Sequence, residues 1–262
     1  MKSPKYLAIL QARLSSTRLP GKVLRPLSGA PMLERQIERI RRSKKISEIL
    51  VATSTGDDDR AIVELCDRLG VGSFRGNLTD VLDRYVGAAR TRQPENVIRL
   101  TGDCPLVDPG VIDDVIAFFE SGSFDYASNT LEPTFPDGLD TEVFTFEGLE
   151  KCWREARLPS EREHVTPYFY THPELFRLGS YKSAVNRSNL RWTVDEPADY
   201  ELVQKIYAGC YAENPSFAMA DVLRFLEKNP ELNRINSEFQ RNEGYLRSLA
   251  QDRDFIAKKA DA

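Results

Sequence analysis

Through its first half the chain alternates short aliphatic runs with stretches of helical periodicity, and that rhythm limits the folds open to it. Tyr6 to Leu10, Glu48 to Ala52, Val71 to Phe74 and Val97 to Leu100 read as strands. Between them lie helical patterns over Pro31 to Arg42, Asp58 to Leu69 and Thr79 to Arg92. A further helix over Asp108 to Glu120 and an extended stretch from Asp125 to Ala127 follow. Pro31 suits the first turn of its helix, where Met32, Leu33, Ile37 and Ile40 form an apolar stripe; Thr79 is the expected N-cap of its own. Strands alternating with helices of this length predict an α/β chain, a three-layer α/β/α sandwich around a mostly parallel sheet with right-handed crossovers. Ligands in such sheets sit at the carboxyl ends of the strands.

From about residue 129 the rhythm changes. Pro133, Pro136 and Gly138 break the chain before an extended segment, Thr141 to Phe146, and a helix, Glu147 to Ala156. A helix from about Glu161 to Tyr170, strands near Phe176 to Tyr181 and Leu190 to Val194, and a helix from Ala198 complete a main domain of residues 1–212. Residues 213–262 form a helical C-terminal extension, in which Val222, Phe225 and Leu226 repeat at helical spacing, as do Phe239, Tyr245 and Leu249.

Charge decides what kind of site to look for. With 36 Lys and Arg against 40 Asp and Glu, the formal charge is −4, so there is no continuous cationic field for duplex nucleic acid. An anionic ligand must be met by a local cluster. No stretch approaches the roughly 20 apolar residues of a membrane span, and Tyr6 to Leu10 is too short for a signal-peptide core, so the chain is expected in the cytoplasm. Cys66, Cys104, Cys152 and Cys210 lie far apart with no C-x-x-C pair and read as reduced thiols. With only His164 and His172, any metal here is a hard cation on carboxylates and phosphates.

Three segments could carry chemistry. The loop after the first strand, Gln11 to Lys22, holds Arg13, Arg18 and Lys22 with Ser15, Ser16, Thr17 and Gly21. Backbone N–H groups of a tight turn and these cations suit a polyphosphate, although the Walker A spacing is missing and the loop also reads as a solvated basic turn. At the end of another strand, Gly102-Asp103-Cys104-Pro105 pairs a glycine that lets a neighbouring chain approach with a carboxylate able to hold a divalent cation; Asp103 equally suits a turn cap. In Arg191-Trp192-Thr193-Val194-Asp195-Glu196-Pro197 a strand again ends in a carboxylate, and alone Asp195 reads as a helix N-cap. Two strand-terminal carboxylates and a cationic loop at one end of one sheet would make a metal-bridged triphosphate site.

In combination these motifs resemble the cytidylyltransferases that activate acidic sugars, the CMP-Kdo and CMP-sialate synthetases, and among them the spore-coat polysaccharide SpsF-like branch. Supporting stretches are Thr79 to Arg84, Glu161 to Tyr168 and Asn242 to Tyr245. The resemblance covers nearly the whole chain. It implies a Rossmann-like fold of the nucleotide-diphospho-sugar transferase type, with residues 1–128 as a nucleotide-binding half and 129–212 as an acceptor half. It further implies that Arg13 and Lys22 bind the triphosphate with Ser16 and Arg18 alongside, that Asp103 and Asp195 hold Mg²⁺, and that Arg84 reaches the nucleotide. Backbone groups around Leu10 and Ala12 would select the base.

The reaction so implied is attack of a sugar hydroxyl or phosphate oxygen on the α-phosphorus of CTP, with pyrophosphate leaving, in surface polysaccharide biosynthesis. Partners would be CTP and a small-molecule acceptor, with no nucleic acid or membrane, in a homodimer. The middle of the chain, Pro136 to Val143, departs from the synthetases of Kdo and sialic acid and is SpsF-like. Acceptor candidates are Asp137, Asp140, Glu142, Arg162 and His164; the carboxylates also read as an exposed rim, and His164 as a satisfied helix or interface histidine. Competing readings are a nucleotidyltransferase using another base and a non-catalytic nucleotide-binding or glycosyltransferase-like protein.

Overall fold

The computed structural model describes residues 3–260. Strand β1 (Tyr6–Gln11) leads through a 3-10 turn at Lys22–Leu24 and a short hairpin, β2 (Pro26–Leu27) and β3 (Ala30–Pro31), into helix α1 (Met32–Ile40). Then come β4 (Glu48–Ser54), α2 (Arg60–Leu69), β5 (Gly72–Gly76), α3 (Val81–Arg90), β6 (Asn96–Thr101), α4 (Pro109–Gly122) and β7 (Tyr126–Ser128). The second half holds β8 (Glu142–Thr145), α5 (Phe146–Glu155), α6 (Pro159–His164), α7 (Pro167–Thr171), β9 (Leu178–Ser180) and α8 (Pro197–Cys210). It closes with α9 (Met219–Lys228), a 3-10 turn at Pro230–Arg234, and α10 (Glu243–Ala260).

Seven strands form one sheet in the order β5-β4-β1-β6-β8-β7-β9. Only β8 runs against its neighbours; the pairs β5/β4, β4/β1, β1/β6 and β7/β9 are parallel. The central strand β1 shows why both faces must be covered. Its alternation sends Tyr6, Ala8 and Leu10 into one apolar cluster, with α1, α2, α4, α8 and α9. Leu7 and Ile9 enter the other, with α3, α5 and α7. The expected three-layer α/β/α sandwich is the fold.

Local departures from the sequence reading have physical causes. The helix expected over Glu161 to Tyr170 is two helices, because Val165 takes a left-handed φ of +72° and Pro167, which has no N–H to donate, opens the second one. The N-cap of α3 is Asp80 rather than Thr79: its side chain accepts the Asp83 N–H. Leu190 to Val194 is not a strand of the sheet. It is an extended segment bridged only through Arg191 to Asp137, with Trp192 N–H donating to the Asp137 carbonyl at 2.6 Å and Val194 N–H to the Asp103 carbonyl at 2.8 Å. Gly138 makes this crossing possible: its φ is +108°, and a Cβ there would lie 2.5 Å from the Thr193 nitrogen. The helical pattern expected beyond Phe217 holds in α9 and α10 but breaks between them, and residues 261–262 lie outside the described residues. All four cysteines are free and buried.

Candidate active site

The carboxyl ends of β1 and β6 lie side by side, and a cavity of about 690 Å³ opens above them. Backbone contacts fix its floor. The buried Tyr85 hydroxyl donates to the carbonyls of Ile9 and Leu100 at 3.1 and 3.2 Å, tying both strands to α3. Gly102 N–H donates to the Gln11 carbonyl at 2.7 Å, and a Cβ at Gly102 would sit 2.8 Å from that same oxygen. The close approach expected of Gly102 is therefore between β6 and the first turn beyond β1.

The cationic loop starts there. Asp59, buried just before α2, accepts the Leu14 N–H at 2.7 Å and the N–H of Ser54 at 3.1 Å, so one carboxylate clamps the loop to the end of β4. Within the loop, Ser16 accepts the Leu19 N–H at 3.2 Å and shapes the turn. Lys22 Nζ points back to the centre: it donates to Asp195 Oδ1 at 2.9 Å, Asp103 Oδ2 at 3.2 Å and the Val194 carbonyl at 2.8 Å. Burial opposes the charge on Lys22, but the two carboxylates outweigh it and hold its pKa above the ordinary lysine value. Burial likewise opposes ionisation of Asp103; the charge of Lys22 and a hydrogen bond from Thr101 prevail and bring its pKa down to about 2. Asp195 is not the cap of α8. Asp199, fully buried, accepts the N–H groups of Asp195 and Glu196, both at 2.9 Å, which frees the Asp195 carboxylate for Lys22, Arg18 at 3.2 Å and Arg191 at 3.3 Å.

Twelve of the sequence candidates line the cavity: Ala12, Arg13, Ser16, Arg18, Lys22, Arg84, Asp103, Asp137, Asp140, Glu142, His164 and Asp195. Two do not. The Leu10 side chain is in the core, and Arg162 turns away to Asp80 and the Trp153 carbonyl. The cations of the β1 loop and of α3 differ in availability. Arg18 is held by Asp195, Glu196 and Glu243, whereas Arg13 and Arg84 have no carboxylate partner among the described residues, and the buried Nε of Arg84 has no hydrogen-bond partner at all.

At the other end of the cavity carboxylates and arginines pair. Glu142 is bound by Arg99 and by the Tyr126 hydroxyl at 2.6 Å, Asp140 by Arg241, and Asp137 by Arg191 at 3.3 Å. Burial and the neighbouring Asp140 push the Asp137 carboxyl up to about 7, and burial also raises Asp140. Asp137 and Glu142 are buried and Asp140 half-buried, each paired with an arginine rather than standing free on a rim. His164 bonds to Ser248 at 2.9 Å; burial and the charge of Arg99 lower it to about 4, so its ring is neutral at physiological pH.

The sequence reading missed Arg99, Arg191, Arg241 and the side chains of α10 that face the cavity. Arg99 left a signal, since a charge in the run Asn96-Val97-Ile98-Arg99-Leu100 breaks a strand that is otherwise apolar. Arg191 stands at the head of the motif that ends in Asp195, and Asn242 to Tyr245 carry part of the resemblance, whereas Arg241 and the later side chains of α10 left no signal because they reach the site from a segment distant in sequence.

Parallel strand ends, a clamped cationic loop and two converging carboxylates define a nucleotidyltransferase of the α/β type. The chain belongs to the cytidylyltransferase family, whose model matches residues 7–230, and is accordingly a nucleotidyltransferase that uses CTP. The spore coat polysaccharide biosynthesis protein SpsF of Bacillus subtilis is 36% identical to it over 235 residues, 86% of this chain and 95% of its own length. The uncharacterized protein MJ1063 of Methanocaldococcus jannaschii is 39% identical over 235 residues, 89% of this chain and 95% of its own. Among solved structures, a cytidylyltransferase from Leptospira borgpetersenii superposes with a TM-score of 0.83 at 34% identity, covering 87% of this chain and 96% of that one. No helix among the described residues is long and apolar enough to cross a membrane.

Proposed function

We propose that the chain transfers CMP from CTP to an acidic sugar, a nonulosonic acid, or to a phosphorylated small molecule, for surface polysaccharide biosynthesis. The observation that carries this reading is the Lys22 ammonium held between Asp103 and Asp195 beside the loop that begins at Arg13. In the reaction an acceptor oxygen, either a phosphate oxygen or a hydroxyl that gives its proton to solvent, forms a bond to the α-phosphorus while the bond from that phosphorus to the bridging β-phosphate oxygen breaks, and pyrophosphate leaves with that electron pair. No protein nucleophile is required. Arg13, Lys22 and Arg84 bind and neutralise the phosphates and hold attacker and leaving group in line.

Asp103 and Asp195 suit a divalent cation such as Mg²⁺, because their oxygens converge on one point, now taken by Lys22 Nζ. No cluster of three or more His, Cys, Asp or Glu is placed for a metal among the described residues. Two carboxylates fit a hard ion whose remaining ligands are phosphate oxygens and water, and which when bound supplies further charge neutralisation at the phosphates. The SpsF relative supports the polysaccharide setting.

The test is a matrix of the four common NTPs against sugar acids and sugar phosphates, with Mg²⁺ present and pyrophosphate as readout. Release that requires CTP and one acceptor class is expected. Silence in every pairing sinks the reading, and release with another NTP reassigns the base.

A further inference from the structure

We propose that the C-terminal segment 240–251 sets acceptor specificity, with Arg247 meeting the acceptor's anionic group and Tyr245 packing on its sugar ring. This rests on the transfer reading above and adds which part of the chain chooses the acceptor. The family match ends at residue 230, yet the cavity wall continues through the later segment. On α10 the cavity is lined by Glu243, Gly244, Tyr245, Arg247, Ser248 and Gln251, of which Gly244, Arg247, Ser248 and Gln251 recur at helical spacing as a stripe and Tyr245 adds a ring at the first turn.

That stripe inverts the usual surface helix, which buries its apolar side. Here Leu246 and Ile256 are each 56% exposed, while Ser248 and Asp252 are buried. The helix docks through polar contacts: Ser248 donates to Glu163 at 2.7 Å, and Asp252 accepts the Ser160 N–H at 2.9 Å. Apolar packing of α10 is confined to half-buried side chains such as Tyr245 and Leu249, and its fully buried contacts are polar.

Charge pairing singles out Arg247. Of the cations that line the cavity, Arg18, Lys22, Arg99 and Arg191 have carboxylate partners. Arg13, Arg84 and Arg247 have none among the described residues. Arg13 and Arg84 belong to the β1 loop and α3, beside the phosphate-binding end. Arg247 comes from the far wall, next to Tyr245, which stands edge-on to His164 with 5.3 Å between ring centres. A guanidinium fork matches a carboxylate or a phosphate in two parallel hydrogen bonds, and a tyrosine offers a rigid apolar face with a polar tip. The pair fits a sugar that bears one anionic group.

The experiment uses the full chain and two panels of ligands, sugar acids and sugar phosphates, followed by saturation-transfer NMR on wild type, Arg247→Ala, Arg247→Lys and Tyr245→Ala. Arg247 is exposed, so its substitution leaves the fold intact even if Tyr245→Ala loosens α10. At least one panel should bind wild type, with affinity reduced about tenfold in Arg247→Ala and partly restored in Arg247→Lys, while CTP affinity stays within about twofold. Which panel responds identifies the anionic group as carboxylate or phosphate. Binding equal in wild type and both alanine variants, or no binding of either panel to wild type, overturns the inference. If acceptors bind as expected but no CTP-dependent pyrophosphate appears, the transfer reading falls and this assignment stands. If turnover occurs and the acceptor KM ignores both variants, the assignment falls and the transfer reading stands.

Discussion

The two ends of the cavity are built by different means. At the phosphate end the backbone is locked: Tyr85 ties β1 to β6, Gly102 brings the two strand ends into contact, and Asp59 fastens the cationic loop through the Leu14 N–H. At the acceptor end, side chains pair with side chains across long sequence separations, Arg241 with Asp140 and Ser248 with Glu163. One region inherits its geometry from the sheet. Apart from the cross-strand pair Arg99–Glu142, the other is assembled by latches, two of whose members come from beyond the residues that match the family.

Substitutions should separate the two ends sharply. The largest effect belongs to Asp103→Asn and Asp195→Asn, each expected to lower turnover by about a thousandfold or more with the fold intact by circular dichroism, because each removes one of the two carboxylates that, among the described residues, converge on Lys22. Retained turnover in Asp103→Asn would remove it from the metal site. Lys22→Ala should follow, with kcat lower by about 10²- to 10³-fold, the usual cost of removing a fixed charge stabiliser. A loss confined to the acceptor KM would instead move Lys22 out of the phosphate end. Smaller still is Asp59→Ala, which leaves the Leu14 N–H unpaired. It should raise the KM for CTP about tenfold and lower stability by about 1–3 kcal/mol, with the acceptor KM unchanged. An equal rise in both KM values would show that the loop serves the whole cavity and would blur the contrast between its ends.

The same contrast explains what could be read from the sequence. The sheet and its order of helices were legible because buried strands such as Tyr6–Gln11 are apolar on both faces, and β1 with β6 carried Arg13 and Asp103 to one edge. The break at Val165 was half legible, since Pro167 marked it. Asp195 lines the cavity although the segment before it is no strand of the sheet but lies across the Asp137 and Asp103 backbones. Arg241 could not be found by pattern, because a salt bridge between residues a hundred positions apart, such as Arg241 with Asp140, leaves no periodic trace; Arg191 pairs locally with Asp195 and Asp199, inside the motif that ends in Asp195. Tyr245 was counted as part of an apolar helical repeat. Its burial is against His164 and the cavity instead.

The smallest effect concerns pH and tests how dehydrated the acceptor end is. Asp137 faces Asp140, Arg241, Arg191 and Asp103, and burial together with Asp140 raises its pKa to about 7, against about 3.9 in the unfolded chain. Between these values the folded protein binds more protons than the unfolded one, so this group's contribution is complete below about pH 4 and is lost as pH rises through about 7. Asp140, also raised, acts in the same direction. Asp103 acts in the opposite one, but at its lowered pKa of about 2 its contribution is lost only on strong acidification, outside this window. Urea unfolding from pH 4 to 7 should therefore show wild type losing about 1 kcal/mol or more relative to Asp137→Asn. Parallel curves would mean that Asp137 titrates as a solvated carboxylate. The latched end would then be as open to water as any rim, and its carboxyl groups would be poor candidates for holding a sugar.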